Sequence, residues 1–199
     1  MLGAAGKVLF RHRGIIPVPF ALAAVITLVL RGDTMHGLGI PFWFSILAGT
    51  LICAAGHALR IWAIGYAGHE TRRVRIATFR LATSGPFAYT RNPIYLGNLA
   101  IAVGLALLSR TAWVALMFPL LMFIEYHCII RYEEEYLDRT FGEEYREYRR
   151  RAPRYLGLAR PKRDAGSSFA PGETLRKEYQ AILATLSTAA VFMAARMIG

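Results

Sequence analysis

Residues 93–130 read PIYLGNLAIAVGLALLSRTAWVALMFPLLMFIEYHCII: two apolar runs, Pro93 to Leu108 and Thr111 to Ile130, parted only by Ser109 and Arg110. A two-residue polar break leaves room for nothing but antiparallel neighbours, so the pair is expected as a tight helical hairpin. Asn92 can cap the first of these helices with its side-chain oxygen, and Pro93 suits its first position, where a backbone N–H is not needed. The second run has no stop signal at its end. Residues 131–141 continue in good helix formers up to Gly142, a C-terminal cap, so this helix is expected to project out of the membrane.

Three more apolar blocks flank the hairpin. Ile15 to Leu30 follows Lys7, Arg11 and Arg13 and is closed by Arg31, Gly32 and Asp33; with no small-x-small cleavage site before Arg31 it reads as an uncleaved first helix. At about 1.5 Å per residue that block is short for a hydrocarbon core of about 30 Å. Ile40 to Tyr66, interrupted only by His57 and Arg60, spans with ease, and Tyr179 to Ile198 supplies a last helix. The expectation is an all-α polytopic membrane protein of about five transmembrane helices, one domain over residues 1–199.

Composition agrees. The 199 residues are 55% hydrophobic and 19% charged, with a mean hydropathy of +0.34, more apolar and less charged than a soluble domain. A net charge of +11 in a soluble chain would suggest nucleic acid; here the charge lies between apolar blocks and reads as topology. Three Lys and Arg precede the first helix, five lie between Ala67 and Asn92, and twelve between Arg131 and Lys177. Arg31, Arg110 and Arg196 alone fall on the opposite side. The positive-inside rule therefore puts the N-terminus and both large loops in the cytoplasm, of the inner membrane if the source is bacterial. Cys53 and Cys128 sit within apolar runs as small hydrophobic residues, and neither metal nor nucleic acid is an expected partner.

Chemistry can sit where polar groups meet this apolar frame. The free N–H groups at Pro93's helix start, with the positive end of its dipole, suit an anionic group such as a ligand carboxylate; the plain alternative is a well-capped helix. Stepping by 3.6 residues places Glu125, Tyr132 and Glu135 or Ile129 near one face of the fourth helix, and His127, Arg131, Glu134 and Asp138 along another. Glu125 and His127 lie within the apolar block, where ionisable groups line a bundle interior or a wet cavity. Glu135, Asp138, Glu143, Glu144 and Glu147 read as a solvated charge ladder. Arg60 either snorkels to the interface or pairs with an acid such as Glu125 or Glu133. No P-loop, G-x-G-x-x-G, G-x-S-x-G or metal-spaced Cys and His set is present.

Taken together, Ser84-Gly85-Pro86-Phe87, then Arg91-Asn92-Pro93-Ile94-Tyr95-Leu96-Gly97, then Glu133-Glu134, then Phe141-Gly142-Glu143-Glu144-Tyr145 with Tyr148, and finally Arg151-Ala152-Pro153-Arg154 resemble the isoprenylcysteine carboxyl methyltransferase family. The phospholipid N-methyltransferases share the outline. The match runs from about Gly56 to Pro161, in the family's order and with similar spacings. The resemblance implies S-adenosylmethionine, leaving as S-adenosylhomocysteine, in a cytoplasm-facing pocket between the R-H-P-x-Y turn and the double-glutamate segment. Carried over by position, Arg91, Asn92, Pro93, Ile94 and Tyr95 would meet the cofactor, with Phe79, Leu81, Ala82 and Phe87 lining its other side. Glu133 would hold the cofactor's polar groups, and Arg131 would steer the acceptor anion. This chain has Asn92 where the family has histidine, so the position offers hydrogen bonding and capping rather than a titrating imidazole.

Methyl transfer from a sulfonium is an in-line displacement, and a carboxylate or phosphate acceptor needs no general base. An amine acceptor needs deprotonation, which would recruit Glu125, Glu134 or His127. A lipid or lipidated acceptor would enter sideways between helices from the bilayer. Two other functions stay open on the sequence: an NADPH-dependent membrane reductase of the sterol-reductase type, and a non-enzymatic membrane scaffold.

Overall fold

The computed structural model describes residues 17–67, 81–156 and 171–198. Every regular element among them is helical: α1 (Pro17–Arg31), α2 (Phe42–Ala67), α3 (Pro93–Leu108), α4 (Ala112–Phe141), α5 (Glu143–Arg151) and α6 (Pro171–Ile198), with short 3-10 turns at His36–Leu38 and Gly85–Ala88. The helices α2, α4 and the Glu178–Ile198 part of α6 are long and apolar enough to cross a membrane, and α1 and α3 are shorter apolar helices beside them. At 1.5 Å per residue α3 is about 24 Å long.

The hairpin forms as its sequence demands. Thr111 starts α4 directly after the turn, and Arg110 takes a left-handed backbone, φ 55°, a conformation that costs a non-glycine residue about 1–2 kcal/mol. Four hydrogen bonds from its guanidinium hold it there: to Asp33, to the Pro41 and Ile40 carbonyls, and to Ser45. The same turn therefore ties the α1–α2 connection to the α3–α4 connection. Chain direction then puts the C-terminal ends of α1, α3 and α6 at this end, and the start of α3 and the far part of α4 at the other.

α2 and α3 approach closely because glycine faces glycine. A Cβ on Gly56 would lie 2.7 Å from the Gly97 carbonyl oxygen, and one on Gly104 would lie 2.7 Å from the Gly49 carbonyl oxygen. Within lipid, where burial gives helices no drive to associate, small residues at such positions let dispersion contacts and backbone proximity do so. Ala24, Leu28, Ala102, Ala106, Val114, Phe118, Met122, Phe192 and Ala195 form the apolar core joining α1, α3, α4 and α6. Gly97→Ala puts a methyl 2.6 Å from Arg60 Cγ and 2.8 Å from the Gly56 carbonyl. It is expected to cost about 1–3 kcal/mol, read as a lowered melting temperature in detergent. Gly37→Ala, which meets nothing within 4 Å, should leave that temperature unchanged.

Two expectations are corrected here. Arg60 pairs with neither Glu125 nor Glu133: its Nε and Nη2 donate to Glu178 at 2.8 and 2.9 Å, and Nη1 donates to Asn98. The acid comes from α6 because that helix begins at Pro171, two turns before the apolar block starts at Tyr179. Residues 143–151, expected only as a basic connection, form α5, which buries Tyr145 and Tyr148 on one side. The charge ladder itself stands, with Glu135 bonded to Arg139, Asp138 to Arg146, and Glu147 to Arg151.

Candidate functional site

The start of α3 is the meeting point of four separated pieces of sequence. Gly85 has φ +59°, and a side chain there would strike the Tyr66 ring at the end of α2; the glycine lets the Ser84–Phe87 turn fold against that helix. From this turn the Phe87 carbonyl accepts a hydrogen bond from Tyr148 of α5 at 2.8 Å. The Arg91 amide donates to the Pro153 carbonyl at 2.9 Å. Thr90 Oγ1 and Asn92 Nδ2 both donate to the Arg154 carbonyl, at 3.2 and 3.0 Å. The segment after α5 is thus sewn along the loop that leads into α3.

Asn92 occupies the N-cap position but its side chain makes no cap bond to α3. The amide is spent on the Arg154 carbonyl instead, so the expected side-chain cap is not formed. Tertiary demand has outcompeted the local motif, and the first-turn amides of α3 keep the donor character expected of an uncapped helix start.

The double glutamate divides into two roles. Glu134 is buried, with one oxygen 3.0 Å from Arg91 Nη2 and the other 2.6 Å from Arg154 Nη2, and Arg154 Nε also reaches both oxygens. Its carboxylate is a clasp between the α3 loop, α4 and the segment after α5. The hydrogen bond to Glu134 outweighs burial and holds the Arg154 guanidinium above its usual pKa. Glu133, half-buried, accepts a hydrogen bond from the Tyr95 hydroxyl at 2.8 Å, and the Tyr95 ring lies 5.2 Å from that of Tyr126. Asn92, Tyr95 and Glu133 therefore share one end of the bundle, within one turn of α3. Arg131 stands apart: it is exposed, with no ion pair or hydrogen bond among the described residues. The periodic face that grouped Arg131 with Glu134 is not the one the bundle buries. Ile129, Ile130 and Glu134 go inward together.

The surrounding wall is aromatic and aliphatic. Leu81 packs with Leu137 and Phe141 against Tyr145, Tyr148 and Ala152, Pro93 and Phe87 are buried, and Ala82 and Ile94 are half-buried. Phe79 lies outside the described residues. Burial lifts the Tyr145 hydroxyl to about 12 and pushes Tyr148 higher still, so both are neutral donors at physiological pH. His127 Nδ1 and the Tyr155 hydroxyl are 2.7 Å apart, beside Phe123. Tyr145, Tyr148, Arg154 and Tyr155 were not singled out for roles from the sequence. The one signal for the tyrosines is their i, i+3 spacing on an otherwise charged helix.

A sulfonium-bearing amino acid nucleotide needs acceptors for ribose hydroxyls, donors for a carboxylate and a flat apolar wall, and the residues present fit. Glu133 could accept the first and the uncapped start of α3 could donate to the second. Arg91 Nε and the Tyr145 hydroxyl are also buried with no hydrogen-bond partner among the described residues. Buried donors left over in this way are uncommon in folded proteins.

Comparison with known proteins points the same way. The profile of a family described as phospholipid methyltransferase matches residues 44–144. A cobalt-zinc-cadmium resistance protein of Cupriavidus metallidurans is 29% identical over 156 residues, covering 77% of this chain and 67% of the relative. The protein-S-isoprenylcysteine O-methyltransferase of Schizosaccharomyces pombe is 32% identical over 60% of this chain and 53% of the relative. Protein-S-isoprenylcysteine O-methyltransferase B of Arabidopsis thaliana is 33% identical over 66% of this chain and 68% of the relative. The chain thus spans about half to two thirds of the length of these relatives. No solved structure matches it.

Proposed function

The chain belongs to the phospholipid methyltransferase family, and on that premise we propose that it transfers a methyl group from S-adenosylmethionine to a lipid or lipidated acceptor at the end of the bundle where α3 begins. The single observation that carries this reading is the Tyr95–Glu133 bond. It joins the start of α3 to the emerging part of α4, and a carboxylate at that place is the kind of acceptor a ribose needs.

In this reading Glu133, oriented by Tyr95, takes the ribose hydroxyls, and the first-turn amides of α3 with Arg91 Nε take the amino acid carboxylate. Phe87, Leu81, Ala82, Pro93 and Ile94 line the wall. Asn92 positions the loop through the Arg154 carbonyl and needs no titrating ring for that. Glu134, both of whose oxygens are engaged by guanidinium groups, is a positioning residue that keeps the loop, α4 and residues 152–154 in register. Arg131, exposed beside Glu133, attracts the acceptor's anionic head.

The bound donor supplies an electrophilic methyl on a positively charged sulfur. A carboxylate or phosphate acceptor attacks with its own lone pair, so this chain has only to align the two and exclude water, for which orientation supplies up to about 7–11 kcal/mol. An amine acceptor would give up a proton, for which His127, its Nδ1 2.7 Å from the Tyr155 hydroxyl, is the candidate base. The tails of the acceptor remain in the bilayer, with the site on the cytoplasmic side that carries most of the Lys and Arg. Native membranes containing the protein, incubated with a methyl-labelled donor, are expected to yield a labelled lipid or lipidated protein. Label confined to water-soluble acceptors would exclude entry from the bilayer, and no transfer to any acceptor would exclude the reaction.

A further inference from the structure

The opposite end of the bundle holds a second polar site that the methyl-transfer reading does not use. A cavity of about 300 Å³ lies there, lined among others by Asp33, His36, Ile40, Phe42, Arg110 and Arg196. It is the length of α3, about 24 Å, from the start of that helix. We propose that this cavity binds the phosphate of an anionic glycerophospholipid, gripped by Arg196.

The two arginines are in different states. Arg110, only 2% exposed, is engaged on every nitrogen: Nε with Asp33 at 2.7 Å, Nη1 with the Pro41 carbonyl and Ser45 Oγ, Nη2 with the Ile40 carbonyl. Asp33 is equally occupied, its Oδ1 accepting from the amides of Met35 and His36 and its Oδ2 from Arg110. Burial alone raises the Asp33 pKa, but the bonds from Arg110 and His36 outweigh it and keep the carboxyl ionised.

Arg196 arrives third at that carboxylate. Its Nε stays 3.6 Å from Oδ2, beyond hydrogen-bond distance, and it makes no hydrogen bond among the described residues. Its guanidinium is nevertheless held in place, because it lies over the Phe42 ring with 3.9 Å between Cζ and the ring centroid. A fork of donors, oriented by an aromatic face and unsatisfied, is the geometry that takes a phosphate bidentately.

Charge and surroundings select the ligand. Two guanidinium groups against one carboxylate leave one positive charge between them, and one phosphodiester cancels it. Exposed apolar side chains adjoin the lining residues along the chain: Leu38 and Trp43 next to Gly39 and Phe42, and Met197, 89% exposed, with Ile198 directly after Arg196. Such side chains take acyl chains, and a bilayer holds phosphates at this depth in high local concentration. A soluble phosphate gains nothing from it.

The test is native mass spectrometry of the full chain released from micelles, titrated with phosphatidylglycerol, phosphatidylcholine and, separately, sn-glycerol 3-phosphate. One phosphatidylglycerol is expected to bind saturably and phosphatidylcholine more weakly. Arg196→Gln is expected to weaken phosphatidylglycerol about tenfold or more, with transfer activity unchanged. Phe42→Leu, which keeps the charge and removes the platform, should weaken it less, and it carries the test if Arg196→Gln does not fold. Equal binding of the two lipids, or undiminished binding by folded variants, would overturn the proposal. Binding of the soluble glycerol phosphate as tight as that of the lipid would show a free-anion site instead.

Discussion

Glu133→Ala is expected to abolish measurable binding of S-adenosylhomocysteine while leaving the protein folded. A carboxylate accepting two ribose hydroxyls makes two charge-assisted hydrogen bonds, each worth about 1.5–3 kcal/mol. Their joint loss corresponds to roughly 10²- to 10⁴-fold in affinity. The fold should survive because Glu133 is half-buried and its described hydrogen-bond partner, the Tyr95 hydroxyl, is part-buried at the bundle edge, where water can replace it. Tyr95→Phe should give a smaller loss, since it removes one bond that orients the carboxylate and leaves the carboxylate in place. Calorimetry on both variants measures this; near-normal affinity in a folded Glu133→Ala protein would remove that residue from the site.

Glu134→Gln, one residue along, should behave in the opposite way and lower stability first. Arg91 and Glu134 have side chains 9% and 8% exposed, and the variant leaves the Arg91 cation buried without its counter-charge. Breaking such a pair costs about 3–5 kcal/mol, with the lower end apt here because the Arg154 side chain, 35% exposed, can recover water. For a chain of this size about 3 kcal/mol is a drop of roughly 6–12 °C in melting temperature. Glu135→Gln, on the exposed ladder with Arg139, should change it by no more than a degree or two, as surface pairs contribute little. A Glu134→Gln protein with unchanged melting temperature and lost activity would make Glu134 a chemical participant, and its clasp incidental.

The contrast between neighbouring glutamates marks where sequence periodicity stops being informative. The bounds of α3 were legible, because Asn92, Pro93 and the Ser109–Arg110 break are local signals and local geometry obeyed them. The extension of α4 to Phe141 was legible for the same reason, with Gly142 at φ 54° closing it. Which face of α4 turns inward was not. It depends on where Arg91 and Arg154 arrive, 43 and 20 residues away in sequence, and a helical wheel holds no such information. The pairing of Arg60 with Glu178 is of this kind too, spanning 118 residues. A buried guanidinium demands an acid, but nothing local says which.

The Asn92 side chain shows a local signal read correctly and then overridden. Its position is the N-cap, yet its amide serves the Arg154 carbonyl, a part-buried acceptor with a stronger claim than amides at an open helix end. The resemblance motifs converged where their order implied, since Ser84–Phe87, Arg91–Tyr95, Glu133–Glu134 and residues 151–154 all meet at the start of α3. The α5 helix escaped notice because seven of its nine residues are charged, and only Tyr145 and Tyr148 mark the face that packs.

Titration of detergent-solubilised protein with S-adenosylhomocysteine, and separately with NADPH, tests the central claim most directly. Saturable one-to-one binding of S-adenosylhomocysteine, with no heat from NADPH, is the expected result. Binding of NADPH in place of S-adenosylhomocysteine, or of neither, would contradict it.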